Sequence, residues 1–223
     1  MKKYAIIVAG GKGTRFGSST PKQFLNLCGT PVLMHTINRF AQCDCEILVV
    51  LPQSQICDWN ELCTIHAFHT PHTIVPGGDT RFHSVKNAID TISPCPSDLI
   101  AVHDGVRPLV DRDIIINAFN TACTHLTAIP AIQVTDSIRE ICTTTNQSKA
   151  LNRASLRAVQ TPQTFNAVLL KDAYNIAYSE AFTDDASVVE AAGHHITLID
   201  GSPKNIKITH SIDLIIAEEL ISK

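Results

Sequence analysis

Short apolar runs alternate with stretches of helical spacing along most of this chain. Runs such as Tyr4–Val8 and Ile47–Leu51 are continuously apolar, which is typical of strands with both faces covered. The predicted strands are Tyr4–Val8, Glu46–Leu51, His72–Val75, Leu99–Val102, Leu126–Ile132 and Ile196–Ile199. The predicted helices are Pro31–Gln42, Gln53–Ala67, Arg81–Thr91, Asp111–Cys123, Ala167–Ser179, Asp184–Ala192 and a closing amphipathic helix, Ser211–Ile221. Because strands alternate with helices, the pattern predicts a three-layer α/β fold around a mostly parallel sheet.

Residues Gln133–Ala158 interrupt this alternation. They are rich in Thr, Ser, Asn and Arg and have little helical periodicity, so we expect a β-hairpin that protrudes from the core. No internal repeat or linker-like composition divides the remainder. The sequence therefore predicts a single domain over residues 1–223 that carries one protruding arm, residues 133–158.

Composition and charge narrow the functional classes. The net charge is −3 and no basic block is present, which argues against a nucleic-acid partner. The apolar stretches have strand length and the N-terminus lacks a signal-peptide core, so we expect a soluble cytoplasmic protein without a membrane partner. The eight cysteines lack zinc-site spacing, and most are expected to be small buried hydrophobes. His66, His69 and His72 are expected in a solvated turn rather than in a metal site.

A glycine-rich segment directly after the first strand carries the strongest chemical signal. Glycines allow backbone N–H groups to approach a polyphosphate closely, and fixed cations can neutralise its oxygens. The segment lacks the Gly-Lys-Ser/Thr ending of a P-loop, and Phe16 stands where the dinucleotide fingerprint requires a third glycine. Its residues are Ala9, Gly10, Gly11 and Gly13, followed by the cations Arg15 and Lys22. This segment predicts a phosphate-binding loop.

Further polar segments follow the ends of other predicted strands or lie later in the chain. In open parallel sheets, ligands bind outside the carboxyl ends of the strands. The segments are Gly77–Arg81, His103–Pro108, Asp136 with Ser137, Arg153, Thr161–Gln163, Thr183–Ala186 and Gly201–Thr209.

Together with the glycine loop, these segments resemble those of the 2-C-methyl-D-erythritol 4-phosphate cytidylyltransferase family, in the family's order from Val8 to Thr209. The resemblance implies a Rossmann-like nucleotidyltransferase fold. It also implies an enzyme that joins CTP to the methylerythritol phosphate, a polyol phosphate, and releases pyrophosphate in non-mevalonate isoprenoid precursor biosynthesis. The implied cofactor is a divalent cation, Mg²⁺.

The resemblance also implies roles for individual residues. Arg15 and Lys22 match the family's transition-state stabilisers, and Asp104 matches a contact to Mg²⁺ or ribose. The remaining nucleotide-binding positions are Ala9, Gly10, Gly11, Gly13, Arg107 and the base-reading segment with Gly78, Asp79 and Ser84. The positions that hold the polyol phosphate are Ser137, Arg153, Thr161 and Lys207. Neither Arg153 nor Lys207 has an obvious carboxylate partner at helical spacing.

Other segments depart from the family's pattern or have mainly structural roles. Ser137 replaces the usual Thr and retains its hydroxyl, whereas Gly105-Val106 replaces the commoner Ala-Ala. Asp184 and Asp185 are expected mainly to cap the helix that follows them.

The predicted arm has a counterpart in the family. The resemblance implies that the arm embraces a second subunit and places its arginine in the partner's active site. A projecting hairpin buries little by itself, and a two-fold dimer lets the same surface serve both subunits. We therefore expect a homodimer through the 133–158 arm, with Arg153 acting in trans.

Three alternatives differ in chemistry. A ribitol 5-phosphate cytidylyltransferase shares the loop and several later motifs, but Asp185-Ala186-Ser187 is closer to the methylerythritol enzyme. A non-catalytic nucleotide-binding regulator is disfavoured because the chain retains the whole set of predicted catalytic and substrate-binding charges. These are Arg15, Lys22, Asp104, Arg153 and Lys207. A nicotinamide-dependent oxidoreductase is disfavoured by Phe16 and by the absence of a clear acidic ribose ligand after the second strand.

Overall fold

The computed structural model describes residues 1–10 and 20–222. Its strands are β1 (Lys3–Val8), β2 (Asn26–Leu27), β3 (Thr30–Pro31), β4 (Glu46–Leu51), β5 (Thr73–Pro76), β6 (Leu99–Asp104), β7 (Thr127–Gln133), β8 (Arg139–Ile141), β9 (Ser148–Ala150), β10 (Arg157–Val159), β11 (Gln163–Asn166) and β12 (Leu198–Asp200). Its helices are α1 (Val32–Ala41), α2 (Ile56–Ile65), α3 (Arg81–Asp90), α4 (Arg112–His125), α5 (Ala167–Ala173), α6 (Asp185–Ala191) and α7 (Ser211–Ile221).

Strand β1 lies inside the main sheet and pairs in parallel with β4 on one side and β6 on the other. Within the described residues, the strand order is β10-β7-β11-β6-β1-β4-β5, and β12 also pairs in parallel with β7. Among the strands that the structure describes in this sheet, only β10 and β11 run antiparallel to their neighbours. The prediction of a mostly parallel sheet is confirmed.

Helices cover both faces of this sheet, which explains why the central strands are apolar on both sides. On one face, α1, α2 and α4 contribute Phe40, Trp59 and Phe119 to a core beneath β1 and β4. On the other face, α3, α5 and α6 contribute a second core that includes Phe82 and Tyr174. The predicted three-layer α/β architecture is therefore confirmed.

Strand β11 was not predicted from the sequence, because Gln163 and Thr164 make it look polar. In the structure both are buried, and Phe165 belongs to the core that also includes residues of α3, α5 and α6. The Gln163 amide donates to the Asp184 carboxylate at 2.8 Å and its oxygen accepts from the Ala186 N–H at 2.9 Å. These bonds replace the lost water contacts, so the polar residue can occupy a central strand.

Helix α5 ends at Ala173 rather than at the predicted Ser179. Tyr174 follows it with its ring stacked on Phe82, at a centroid distance of 4.7 Å. The chain then turns through a bond from the Asn175 N–H to the Asp172 carbonyl at 3.1 Å. Packing of the tyrosine ring into the core therefore accompanies the end of the helix.

The bounds of α7 are as predicted, but its amphipathic character is not. Leu214 and Leu220 pack against a small core, and Ala217 is buried. Ile212 and Ile215 are 56% and 60% exposed in this single chain, so apolar side chains occupy both faces of the helix.

The predicted hairpin is present as β8 and β9, which pair antiparallel with Arg139 opposite Ala150. Its residues are exposed on both faces. The excursion ends earlier than predicted, because β10 (Arg157–Val159) joins the edge of the main sheet beside β7. The three residues of β10, Arg-Ala-Val, are too few to show a strand pattern, so the sequence did not indicate this edge position.

The cysteines and histidines differ from expectation. Five of the eight cysteines are exposed, so the prediction that most are buried was wrong. His72 is half-buried and not fully solvated, because the Trp59 indole N–H lies 3.0 Å from its Nε2. Among the described residues, no group of three or more His, Cys, Asp or Glu side chains is placed to hold a metal ion. No described helix is long and apolar enough to cross a membrane.

Candidate active site

A cavity of about 340 Å³ opens at the carboxyl ends of β1, β5 and β6, where the sequence places its polar segments. The meeting of three parallel strand ends leaves room here for a ligand. Its lining consists of Val8, Ala9, Gly10, Lys22, Gln23, Gly78, Asp79, Thr80, Arg81, Ser84, Asp104, Val106 and Lys207. Eight of the predicted site residues are thus brought together.

Lys22 reaches the cavity from the 3-10 turn Lys22–Phe24. Packing anchors this turn, because the Phe24 ring stacks on Trp59 with the two centroids 5.9 Å apart. The buried Gln23 amide also donates to the Gln55 side chain at 2.6 Å. The turn is therefore fixed to α2 and to the segment before it, and Lys22 has a rigid base.

The predicted glycine loop is described only at its start. Ala9 and Gly10 line the cavity, and the Ala9 N–H extends the sheet by donating to the Val50 carbonyl at 2.9 Å. Gly11, Gly13 and Arg15 lie outside the described residues, and their roles stay predictions.

The segment between β5 and α3 forms another wall of the cavity. The Gly78 N–H donates to the Ser84 hydroxyl at 3.1 Å, and the Thr80 hydroxyl caps α3 by accepting from the His83 N–H at 3.3 Å. A Cβ at Gly78 would lie 2.5 Å from the His83 Cβ, so no side chain fits there. Ser84 therefore shapes the Gly78 backbone, while the exposed Asp79 lines the cavity beside it.

Asp104 ends β6 and meets three cations. Its carboxylate lies 2.9 Å from the Lys207 Nζ, 3.4 Å from the Arg107 Nε and 4.0 Å from the Arg81 Nε. Burial alone would raise the pKa of Asp104, but the cations outweigh burial and hold this pKa well below its ordinary value. Lys207, for which the sequence shows no carboxylate partner at helical spacing, thus pairs with a carboxylate that is distant in sequence.

Arg81 also lines the cavity, although no single role could be predicted for it from the sequence. Its guanidinium binds Asp185 through two bonds of 2.9 and 2.6 Å, and the Tyr174 hydroxyl donates to the same carboxylate at 2.6 Å. Burial alone would lower the pKa of Arg81, but Asp185 raises it above its ordinary value. Arg81 is therefore charged and held in one orientation.

The two acidic residues at the start of α6 have different roles. Asp184 caps the helix as expected, accepting from the Ser187 N–H at 2.9 Å. Asp185 is fully buried and binds Arg81 instead, so capping does not describe it. Arg81 lies in the polar segment after β5, and this position could have identified it as a residue of the cavity. Its pairing with Asp185 could not be predicted, because the two residues are 104 positions apart.

Four predicted site residues lie outside the cavity lining. Thr161 is buried, and its hydroxyl accepts from the Asp104 N–H at 3.1 Å. Arg107 donates to the Asn205 carbonyl at 2.7 Å and to the Asp104 carboxylate at 3.4 Å. Ser137 and Arg153 are exposed, and Arg153 donates to the carbonyl of Thr135 within its own arm.

Comparison with known proteins gives a consistent result. The sequence model of the 2-C-methyl-D-erythritol 4-phosphate cytidylyltransferase family matches residues 4–223. A curated protein of that name from Phocaeicola vulgatus is 47% identical over 223 residues, covering 99% of this chain and 100% of the relative. One from Azobacteroides pseudotrichonymphae is 48% identical, covering 99% of each chain. The crystal structure of the Francisella tularensis protein of that name has a TM-score of 0.81 at 31% identity, covering 98% of this chain and 99% of that one.

The Asp104 cluster leads to a prediction about stability and pH. Asp104→Asn should destabilise the fold at pH 7 by roughly 3 kcal/mol, because three cations lose a buried anionic partner. The folded-state pKa of Asp104 lies below its ordinary value of 3.8, so its contribution is complete above that value and is lost as the pH falls. The difference between wild type and variant should therefore narrow below pH 3.8 by up to about 1.4 kcal/mol per pH unit.

Urea unfolding at neutral pH and near pH 3, followed by circular dichroism, would measure this difference. Asp79→Asn is the matched control, since Asp79 lines the same cavity but is exposed, and little change is expected from it at either pH. A difference for Asp104→Asn that stayed constant with pH would contradict the prediction.

Proposed function

The chain belongs to the 2-C-methyl-D-erythritol 4-phosphate cytidylyltransferase family. We propose which residues of its strand-end cavity bind the two substrates and stabilise the transition state. The enzyme joins CTP to 2-C-methyl-D-erythritol 4-phosphate and releases pyrophosphate, a reaction of isoprenoid precursor biosynthesis. The ribitol phosphate, regulatory and oxidoreductase alternatives are not favoured. One observation carries the proposal for the site: Lys22, Arg81 and Lys207 converge on a single cavity around Asp104.

The reaction requires charge neutralisation more than covalent chemistry. An oxygen of the polyol phosphate attacks the α-phosphorus of CTP, a new P–O bond forms, and the bond to the leaving pyrophosphate breaks. Negative charge builds on the α-phosphate oxygens and on the leaving group. We assign Lys22 and Arg15 to this charge, Lys22 from its place in the cavity and Arg15 from the sequence alone.

The two substrates are assigned to different walls of the cavity. The segment of Gly78, Asp79 and Ser84 offers backbone groups and short polar side chains, which suits recognition of the cytosine edge. Lys207 also lines the cavity, with its Nζ 2.9 Å from the Asp104 carboxylate, and is assigned to the polyol phosphate. Asp104 then holds Lys207 in place and also contacts the nucleotide.

Nucleotidyl transfer of this kind generally depends on a divalent cation, and we propose Mg²⁺ with Asp104 as its protein ligand. Lys207 and Arg107 approach Oδ2 of this carboxylate, and Oδ1 has Arg81 at 4.0 Å, so Asp104 offers one oxygen. That fits Mg²⁺, which is commonly bound by one or two carboxylates together with substrate phosphates and water. The bound cation would neutralise charge on the triphosphate.

The partner assignment rests on the arm. Arg153 is exposed, lies outside the cavity lining of its own chain, and lies on an arm whose hairpin strands are exposed on both faces. This supports a homodimer in which the 133–158 arm of one subunit brings Arg153 and Ser137 to the cavity of the other. The cytoplasmic location stays a prediction.

The first test concerns substrates and cation. Pyrophosphate release should occur with CTP and 2-C-methyl-D-erythritol 4-phosphate, and it should fall strongly with UTP, ATP or GTP or with ribitol 5-phosphate. A site that hydrogen-bonds one base edge rejects others because its buried polar groups lose their partners. Excess chelator should abolish the activity and added Mg²⁺ should restore it. Equal rates with CTP and UTP, or full activity in chelator, would count against the proposal.

The second test concerns Lys22. Lys22→Ala should lower kcat by about 10²–10³-fold with a smaller change in KM, because the contact strengthens only as charge builds in the transition state. Lys86→Ala is the control: this lysine pairs with Asp90 on the surface of α3, outside the cavity lining, and should leave both constants unchanged. A variant at Lys22 that raised only KM would show that its role is ordinary substrate binding.

The third test concerns the arm. Lys22→Ala and Arg153→Ala chains, each inactive alone, are mixed under conditions in which subunit exchange has been verified. If Arg153 acts in trans, one site of each mixed dimer has both residues intact, and activity should return. Lys22→Ala mixed with Lys207→Ala is the control, because both residues line the cavity of one chain and every site keeps a lesion. No recovery in the first mixture would refute the trans arrangement.

A further inference from the structure

His103 is a fully buried histidine directly before Asp104 in β6, and the proposed chemistry gives it no role. Its ring packs against Phe40 of α1, with the centroids 4.9 Å apart. Both ring nitrogens have polar neighbours: Nε2 lies 3.1 Å from the Arg107 carbonyl oxygen, and Nδ1 lies 3.0 Å from the Thr161 hydroxyl. The residue therefore links the end of β6 to the loop before β11.

These contacts fix the direction of each hydrogen bond. A carbonyl oxygen can only accept, so Nε2 of His103 carries the proton and donates to Arg107. The described hydrogen-bond partners of this fully buried ring are a carbonyl and a hydroxyl and include no carboxylate, so a positive charge on the ring is unfavourable and Nδ1 of the neutral ring is an acceptor. The Thr161 hydroxyl must then donate to Nδ1, and its oxygen is left to accept from the Asp104 N–H at 3.1 Å.

The bonds form a one-way chain from the Asp104 N–H through Thr161 and His103 to the Arg107 carbonyl. Its two ends bracket the turn that carries Asp104 and Val106 into the cavity. The same turn is held against β1 by the bond from the Gly105 N–H to the Val8 carbonyl at 2.8 Å. A Cβ at Gly105 would lie 3.0 Å from the Ala9 Cβ, so this approach to β1 is tight.

We propose that His103 and Thr161 are positioning residues, whose Nε2–H tautomer and hydroxyl together hold the Asp104–Arg107 turn so that Asp104 faces the cavity. This inference rests on the proposed role of Asp104. It gives Thr161 a function different from the substrate contact implied by the resemblance, since its hydroxyl is buried and already makes two hydrogen bonds.

The structural test uses the wild-type enzyme without substrates. In protein labelled with ¹⁵N-histidine, two-bond ¹⁵N–¹H correlation spectra report which nitrogen of each imidazole is protonated. The chain has ten histidines, and the signal missing from His103→Gln assigns the residue. The expected result at neutral pH is a neutral Nε2–H ring. An Nδ1–H ring or a doubly protonated ring would overturn the proposal.

The kinetic test compares isosteric changes at Thr161. Thr161→Val removes the hydroxyl and leaves the buried Asp104 N–H without its acceptor, so kcat/KM for CTP should fall at least about tenfold. Thr161→Ser retains the hydroxyl and should recover most of that loss, with both variants assayed well below their melting temperatures. Full activity in Thr161→Val, or an equal loss in Thr161→Ser, would overturn the proposal.

Variants at His103 separate the two roles considered for Thr161. His103→Gln leaves the Thr161 hydroxyl in place, so activity should survive if Thr161 acts by touching substrate. Under the proposal, His103→Gln should lower kcat/KM as Thr161→Val does, and the double variant should be little worse than either, because all three break one chain of bonds. Full activity in His103→Gln, or multiplicative losses in the double variant, would refute the chain.

These outcomes are distinguishable from failure of the proposed function. Pyrophosphate release by the wild-type enzyme and its loss in Lys22→Ala test the reaction and do not depend on the tautomer of His103. An active wild type with the wrong tautomer would overturn only the inference about His103 and Thr161.

Discussion

Removing a carboxylate from water is unfavourable by several kcal/mol unless other charges and hydrogen bonds replace the lost solvation. At Asp104, which is only 8% exposed, Lys207 and Arg107 supply that replacement and Arg81 adds a more distant charge. The dependence is mutual, since Arg107 is itself mostly buried. This one anion holds Arg81 and Lys207, from two distant segments, at the end of β6 beside Arg107 of its own turn.

The pairing also explains how a cavity rich in cations can exist before a polyanionic substrate arrives. Arg81 is balanced by the buried Asp185, and Lys207 is balanced by Asp104, so their like charges do not drive the walls apart. Side chains fixed in this way need little reorganisation when charge develops on a phosphate, which is the condition under which electrostatic stabilisation is most effective.

The elements that could be predicted from sequence are those whose signal is local. Continuous apolar runs identified the buried parallel strands, and the polar segments at their ends identified most of the cavity lining. Strand β11 was missed because Gln163 is polar, and its burial depends on Asp184 and Ala186 far along the chain. The partners of Lys207 and Arg81 were missed for the same reason: an ion pair between distant segments leaves no periodicity in the sequence.

The long separation of these partners affects how the site forms. Arg81 and Asp185 are 104 residues apart, and the segments that carry Arg107 and Asn205 are 98 residues apart. Closing such loops costs chain entropy before any contact repays it, so contacts of this kind are unfavourable until the sheet between them exists. While the chain is being synthesised, β1, β4 and β6 are complete well before Asp185 and Lys207 have been added. The parallel half of the sheet can therefore form before the cavity. During this interval Asp104 lacks the ion pair with Lys207, because that lysine has not yet been synthesised.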